Sequence, residues 1–350
     1  MVYIHIPFCI KKCLYCDFYS ITDKSLIKAY TDSLIGEIKS HRGEKTETVY
    51  IGGGTPTSIG DELLRIVDAV RENFVFSENY EFTIEANPGA TDERVFKALF
   101  EKGVNRISLG VQSFNNDELK ALGRIHTAED ALSAVEMIKS AGFNNFSIDL
   151  MFAIPGQTKE SLLRNLEKVK KINPPHISVY SLILEEGTPL YDMDIELPDE
   201  DTEREMYYLI GEELSKIGLN RYEISNFAKQ GFESRHNSGY WKDCEYIGLG
   251  AGAHSYKDKT RYENVSDVCL YISGQGRKIN AVKISDKERQ LELFMLGLRM
   301  TDGVLYNGEF PERVNPLIEK GLLKTENGRL KLTDKGTDLG NIVFMEFLDD

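Results

Sequence analysis

No run of apolar residues in this sequence approaches the ~20 that a membrane-crossing helix needs; the longest are strand-sized. The opening MVYIHIPFC lacks a basic region followed by an apolar stretch and a small-residue cleavage site, so it reads as a first strand and not as a signal peptide. Basic residues are in deficit too. Lys+Arg number 42 against Asp+Glu 56, a formal net charge of -14. Such a surface repels polyphosphate, which argues against nucleic acid or an anionic membrane as a default partner. Cysteine is scarce, and its odd total of five does not suit a disulfide framework. Repeats and low-complexity tracts are missing. What is present is an ordinary soluble composition, 41% hydrophobic and 28% charged in 350 residues. That length suits a main domain with a smaller appendage, and a cytoplasmic location is expected.

Over the first 220 residues, short β-rich runs alternate with helical spacing. Strands are expected at Val2–Ile6, Glu47–Ile51, Glu81–Glu85, Asn105–Leu109, Phe146–Leu150 and His176–Ser181, each followed by an amphipathic stripe such as Leu63, Ile66, Val67, Val70 and Phe74. Such alternation implies right-handed parallel βαβ units. Six units, the last helix near Thr202–Ile217, are too few for a closed eight-fold barrel. An open, partial (β/α)6 barrel is favoured over a flat doubly wound sheet, although the pattern alone does not decide between them. Residues 221–350 form a second, smaller α+β part. It comprises a strand over Arg221–Phe227, a glycine-rich aromatic stretch, helices near Asp286–Leu298 and Val314–Lys320, a hairpin turning at Asn327-Gly328 and a last helix from Asp334, an end that resembles a winged helix.

In either α/β architecture ligands gather at the carboxyl ends of the strands. There the sequence places its unusual residues: Cys9, Gly52–Thr57, Glu85, Gln112 and Asp149. Cys9, Cys13 and Cys16 fall within eight residues, on a loop that also carries Lys11 and Lys12, which favour thiolates. A structural zinc site wants four ligands, and His5, inside the first strand, suits packing or support of the loop better than ligation. Three thiolates instead suit a [4Fe–4S] cubane with one iron left open, with zinc or idle thiols as the other reading. Cys244 and Cys269 are expected to be buried or idle. Gly52-Gly53-Gly54-Thr55-Pro56-Thr57 allows close backbone approach. Glu85 and Asp149 offer carboxylate acceptors, Gln112 an amide, and Arg124 a guanidinium that can clamp a carboxylate.

The CxxxCxxC loop after the first strand resembles the signature of radical S-adenosylmethionine (SAM) enzymes. That resemblance implies a [4Fe–4S] cluster on Cys9, Cys13 and Cys16, its fourth iron chelated by SAM. One electron from the cluster would then cleave the sulfonium to methionine and a 5′-deoxyadenosyl radical. Tyr3–Cys9, Gly52–Thr57, Gly110–Phe114 and Ile154-Pro155-Gly156-Gln157-Thr158 are similar to the oxygen-independent coproporphyrinogen III oxidase superfamily. By that similarity Tyr3, Tyr15, Gly53, Gly54, Thr55, Glu85, Gln112, Arg124 and Asp149 occupy SAM-contacting positions. The decarboxylases carry a further cysteine where this chain has Phe18, and an N-terminal extension where it begins at the first strand. Both departures resemble the HemW-type haem chaperones instead. His236-Asn237-Ser238-Gly239-Tyr240-Trp241 matches their HNxxYW haem-binding motif, which implies haem contact through His236, Tyr240 and Trp241, with His254 as a further candidate. The likeness also implies haem delivery to a respiratory protein at the membrane, with peripheral membrane association during delivery and cluster-dependent homodimerisation. Porphyrinogen decarboxylation is the competing activity.

Overall fold

The computed structural model describes residues 1–348. In chain order its first elements are β1 (Val2–Ile6), α1 (Ile27–Ser40), β2 (Lys45–Gly53), α2 (Asp61–Asn73), β3 (Val75–Ala86), α3 (Glu93–Glu101) and β4 (Arg106–Gln112). Next come α4 (Asn116–Ala121), α5 (Ala128–Ser140), β5 (Phe146–Phe152), α6 (Lys159–Ile172), β6 (His176–Ser181) and α7 (Glu200–Ser215). Strands β1 to β6 lie side by side in sequence order and all run parallel. A doubly wound sheet reverses its order at a switch point. This one never does, so every right-handed crossover lays its helix on the same face and the other face becomes the inside of an open, partial barrel.

The two faces differ chemically. Val2, Ile4, Ile6, Val49, Ile51, Phe82, Ile84, Ile107, Leu109, Ile148, Leu150 and Ile177 pack with the helices into one apolar core. Residues of the opposite parity are polar: Tyr3, His5, Thr48, Tyr50, Thr83, Glu85, Arg106, Ser108, Ser147, Asp149, His176 and Ser178. Hydrogen bonds such as Tyr50 to Glu85, Ser108 to Asp149 and Ser147 to His176 link this inner face across neighbouring strands.

The sheet is larger than six strands. In place of one strand over Arg221–Phe227 there is a tight antiparallel pair, β7 (Asn220–Arg221) and β8 (Asn226–Ala228), which extends the sheet beyond β6. After α8 (Arg235–Trp241), β9 (Ile247–Leu249) runs parallel to β1 on the far side, giving the order β7-β8-β6-β5-β4-β3-β2-β1-β9. A three-residue strand with a glycine at its centre has no periodicity to read. A separate antiparallel sheet, β10 (His254–Lys257), β11 (Thr260–Glu263) and, after α9 (Val268–Ile272), β12 (Ile279–Lys283), also had no clear signal.

The last part has the expected α10 (Asp286–Gly297), adds β13 (Val304–Leu305), continues with the expected α11 (Pro311–Glu319) and hairpin β14 (Leu323–Glu326) and β15 (Arg329–Leu332), and splits the single last helix into α12 (Asp334–Asp338) and α13 (Gly340–Met345). Asn327 and Gly328 take φ values of 51° and 72°, the left-handed pair that a two-residue hairpin turn requires. This part has its own apolar core around Leu291, Phe294, Leu298, Val314, Leu317 and Val343. It meets the α8 segment through Arg299, stacked 4.4 Å over the Trp241 ring, and through Arg289, which donates to Asp243 at 2.8 Å. Among the described residues no helix is long and apolar enough to cross a membrane.

Candidate functional site

The loops at the carboxyl ends of β1 to β6 surround a cavity of about 370 Å³. Cys9, Cys13 and Cys16 are half-buried free thiols lining one side of it, and Tyr15, Gly53, Gly54, Thr55, Glu85, Gln112, Arg124 and Asp149 line the rest. The loops are fastened to each other. Gly54 N–H donates to Ile6 O at 2.9 Å and Thr55 N–H to Phe8 O at 2.8 Å, which zips the glycine run onto the start of the cysteine loop. Gly53 has φ +111°, and a Cβ there would lie 2.5 Å from the His5 ring, so only glycine fits. His5 is accordingly a support: its nitrogens meet the Tyr3 hydroxyl at 2.9 Å and Tyr19 O at 3.1 Å.

Arg124 donates to Asn87 Oδ1 and Gly110 O, both at 2.7 Å, and its other terminal nitrogen lies 3.4 Å from Cys13 Sγ. Burial opposes its charge, yet Tyr15 and Cys13 beside it hold its pKa above the usual guanidinium value. Asn87 also donates to Thr55 Oγ1 at 2.7 Å and so ties three loops together. Gln112 sits in the left-handed region at φ 65°, where the β4–β5 register slips by a residue. The turn after it is anchored on buried Glu118, which accepts from Ser113 at 2.5 Å, Ser161 at 2.7 Å, Asn165 at 2.9 Å and Gln157 at 3.1 Å. That network explains the Pro155-Gly156-Gln157-Thr158 segment: it holds the strand-four loop and does not reach the cavity.

Glu85 accepts from Tyr50 Oη at 2.7 Å and from Gly53 N at 3.0 Å; burial nevertheless pushes its carboxyl up to about 7. Burial raises Asp149 as well, against hydrogen bonds from Ser178 and Ser108. Both carboxyls border the cavity; Asp149 is engaged by Ser108, Ser147 and Ser178, whereas Glu85 accepts only two hydrogen bonds and keeps lone pairs for a diol. Cys16 is pushed up to about 11 by burial, so binding iron there releases a proton. No three His, Cys, Asp or Glu side chains among the described residues converge tightly enough to hold one ion. A cubane does not ask for that convergence, since each thiolate binds a different iron; the donor set suits a cluster and not a mononuclear zinc.

The remaining residues read from the sequence lie below the cavity. Tyr3 does not line it; its ring stacks on Tyr50 at 6.3 Å. His236 is 1% exposed, its Nδ1 2.8 Å from Thr48 Oγ1 and its Nε2 3.0 Å from Tyr240 Oη. Burial, then nearby positive charge, pulls its pKa down to about 3. Helix α8 enters the bottom of the inner face, and its Asn237, not the histidine, reaches the cavity. Ser234 caps the helix, and Glu81 accepts from the backbone N–H of both Arg235 and His236. His254 stands apart on β10, 3.2 Å from Glu263, and Cys244 and Cys269 are exposed instead of buried. Sequence reasoning passed over Asn87 and Tyr50, and gave Asn237 no role of its own within its motif. Strand parity could have found Tyr50, two residues before Gly52 on the inward face; the HNxxYW motif marks Asn237, and nothing local distinguishes Asn87.

Residues 3–169 match the radical SAM superfamily model and residues 284–339 the HemN C-terminal domain. The chain is 42% identical to the heme chaperone HemW of Lactococcus lactis subsp. lactis (strain IL1403), over 99% of this chain and 97% of that one. It is 38% identical to the heme chaperone HemW of Bacillus subtilis (strain 168), with 99% of each covered. The solved coproporphyrinogen III oxidase (HemN) of Escherichia coli, a radical SAM enzyme, superposes with a TM-score of 0.86 at 24% identity, covering 99% of this chain and 89% of the other. The chain belongs to the HemW family of the radical SAM superfamily.

Proposed function

We propose that the protein is a haem chaperone that carries a [4Fe–4S] cluster on Cys9, Cys13 and Cys16 with SAM beside it. It would take up haem at the His236 segment and deliver it to a respiratory protein at the membrane. One observation carries the cofactor half of this reading: three free thiols of one loop line the same cavity as Glu85, Asp149, Gln112 and Arg124. When bound, the cluster supplies an electron to the sulfonium. The chain itself supplies acceptors for ribose in Glu85 and Asp149, a cation beside the thiolates in Arg124, and backbone groups at Gly53, Gly54 and Thr55. The haem half is supported by relatives named as heme chaperones over nearly their whole length.

His236, Tyr240 and Trp241 are the haem contacts in this reading. Iron ligation by His236 requires one ring nitrogen to give up Thr48 or Tyr240, so haem uptake includes a shift of α8. The reading takes residues 1–220 as the radical SAM core and 221–350 as the haem-associated part, in a cytoplasmic, cluster-dependent homodimer that visits the membrane. Anaerobically reconstituted protein should contain iron and acid-labile sulfide near four each per chain. It should also show a haem Soret band that His236→Ala weakens, with no conversion of coproporphyrinogen III. Robust decarboxylation would make it an oxidase, and stoichiometric zinc without sulfide would remove the cluster.

A further inference from the structure

The two halves of that function meet at one side chain that neither motif contains. Tyr50 lies on the inner face of β2, between the floor of the cavity and α8. Its hydroxyl donates to Glu85 at 2.7 Å. Its ring stacks on His236, with centroids 5.1 Å apart and planes 27° from parallel. A Cβ on Gly52 would press against both the Tyr50 ring and the Glu85 carboxyl at 2.8–2.9 Å, so the backbone packs tightly where the two side chains join. At the edges of the same His236 ring, Thr48 and Tyr240 take its two nitrogens. Glu85 therefore cannot be drawn toward a ligand without acting on Tyr50, and His236 cannot turn without sliding across the Tyr50 ring.

We propose that Tyr50 is a positioning residue through which occupancy of the nucleotide pocket lowers haem affinity at His236. This rests on the function proposed above. A ribose diol held by Glu85 fixes the carboxyl, the carboxyl fixes the Tyr50 ring, and the fixed ring keeps His236 in its bonds to Thr48 and Tyr240. Coupling of this kind is reciprocal, so haem must weaken nucleotide binding by the same factor.

The test is haem titration, followed by the Soret band, of the anaerobically reconstituted holoprotein with and without saturating SAM and without reductant. Tyr50→Phe keeps the ring and removes the bond to Glu85. The expected result is haem affinity at least about fivefold lower with SAM in the wild type, and a ratio within twofold of one in Y50F. Thr48→Val, a near-isosteric change that frees Nδ1, should raise haem affinity in the absence of SAM; it serves as the second variant if Y50F does not fold. Wild-type haem affinity that is the same with and without SAM overturns the coupling while leaving the chaperone reading intact, as does a Y50F ratio equal to the wild type's or unchanged haem affinity in Thr48→Val. Failure of the wild type to bind haem or SAM at all overturns that reading, and the coupling with it.

Discussion

The upper end of the inner face and the lower end hold equally polar residues in opposite states. Around the cysteine loop, thiols, carboxyls and amides border open space with hydrogen-bonding capacity left over. Around α8, the histidine has spent both nitrogens on Thr48 and Tyr240, and Glu81 is engaged by two backbone N–H groups. The upper end is prepared to bind as it stands. The histidine at the lower end is satisfied, and ligation there has to replace bonds already made. A motif is therefore a list of residue types, and whether those residues are ready is a property of their partners.

The largest effect should come from the upper end. Cys9→Ser, Cys13→Ser or Cys16→Ser should abolish the visible cluster absorbance and the acid-labile sulfide, while Cys244→Ser and Cys269→Ser retain both; loss in either of the latter would mean the ligand set is wrong. Next, Gly53→Ala drives a Cβ toward His5 in a left-handed backbone and should lower stability by about 3 kcal/mol in denaturant unfolding. An unchanged midpoint would show that His5 does not brace the loop.

The two ends should also respond to pH with opposite sign. Glu85 has a raised folded pKa of about 7, so the folded state holds the extra proton and apoprotein stability falls as pH rises from ~4.5 through 7. The loss should be of the order of 2 kcal/mol, and Glu85→Gln should flatten it. His236 has a depressed folded pKa of about 3, so its contribution is complete above ~6.5 and is lost as pH falls toward 3. Equal slopes in wild type and E85Q between pH 4.5 and 7 would remove Glu85 as the titrating group. The smallest effect belongs to the join with the C-terminal part. Arg299→Met takes the guanidinium off Trp241 and should cost about 1 kcal/mol, with cluster content unchanged.

Much of this is legible in the sequence. The six principal strands were readable because each presents apolar residues to the helices, and β1 and β6 have the expected bounds. The Asn327-Gly328 turn was readable because left-handed backbone demands those residue types. The sequence order of the strands decided between barrel and flat sheet, and no local pattern carries that. Strand β9 and the β10–β12 sheet were missed because three or four residues hold too little periodicity. At the site, the cysteines and glycines announced themselves through spacing. Tyr50 and Asn87 did not, since their roles exist only once β2, β3 and the Arg124 turn are side by side.

The strand that launches the cysteine loop is interior to the sheet, with β2 on one flank and β9 on the other. Val2–Ile6 is thus clasped by a partner, Ile247–Leu249, that lies more than two hundred residues further along the chain. A contact across that separation costs loop-closure entropy, so the root of the cysteine loop gains its second flank late in folding. The loop takes its final setting from the whole sheet and not from its own neighbourhood.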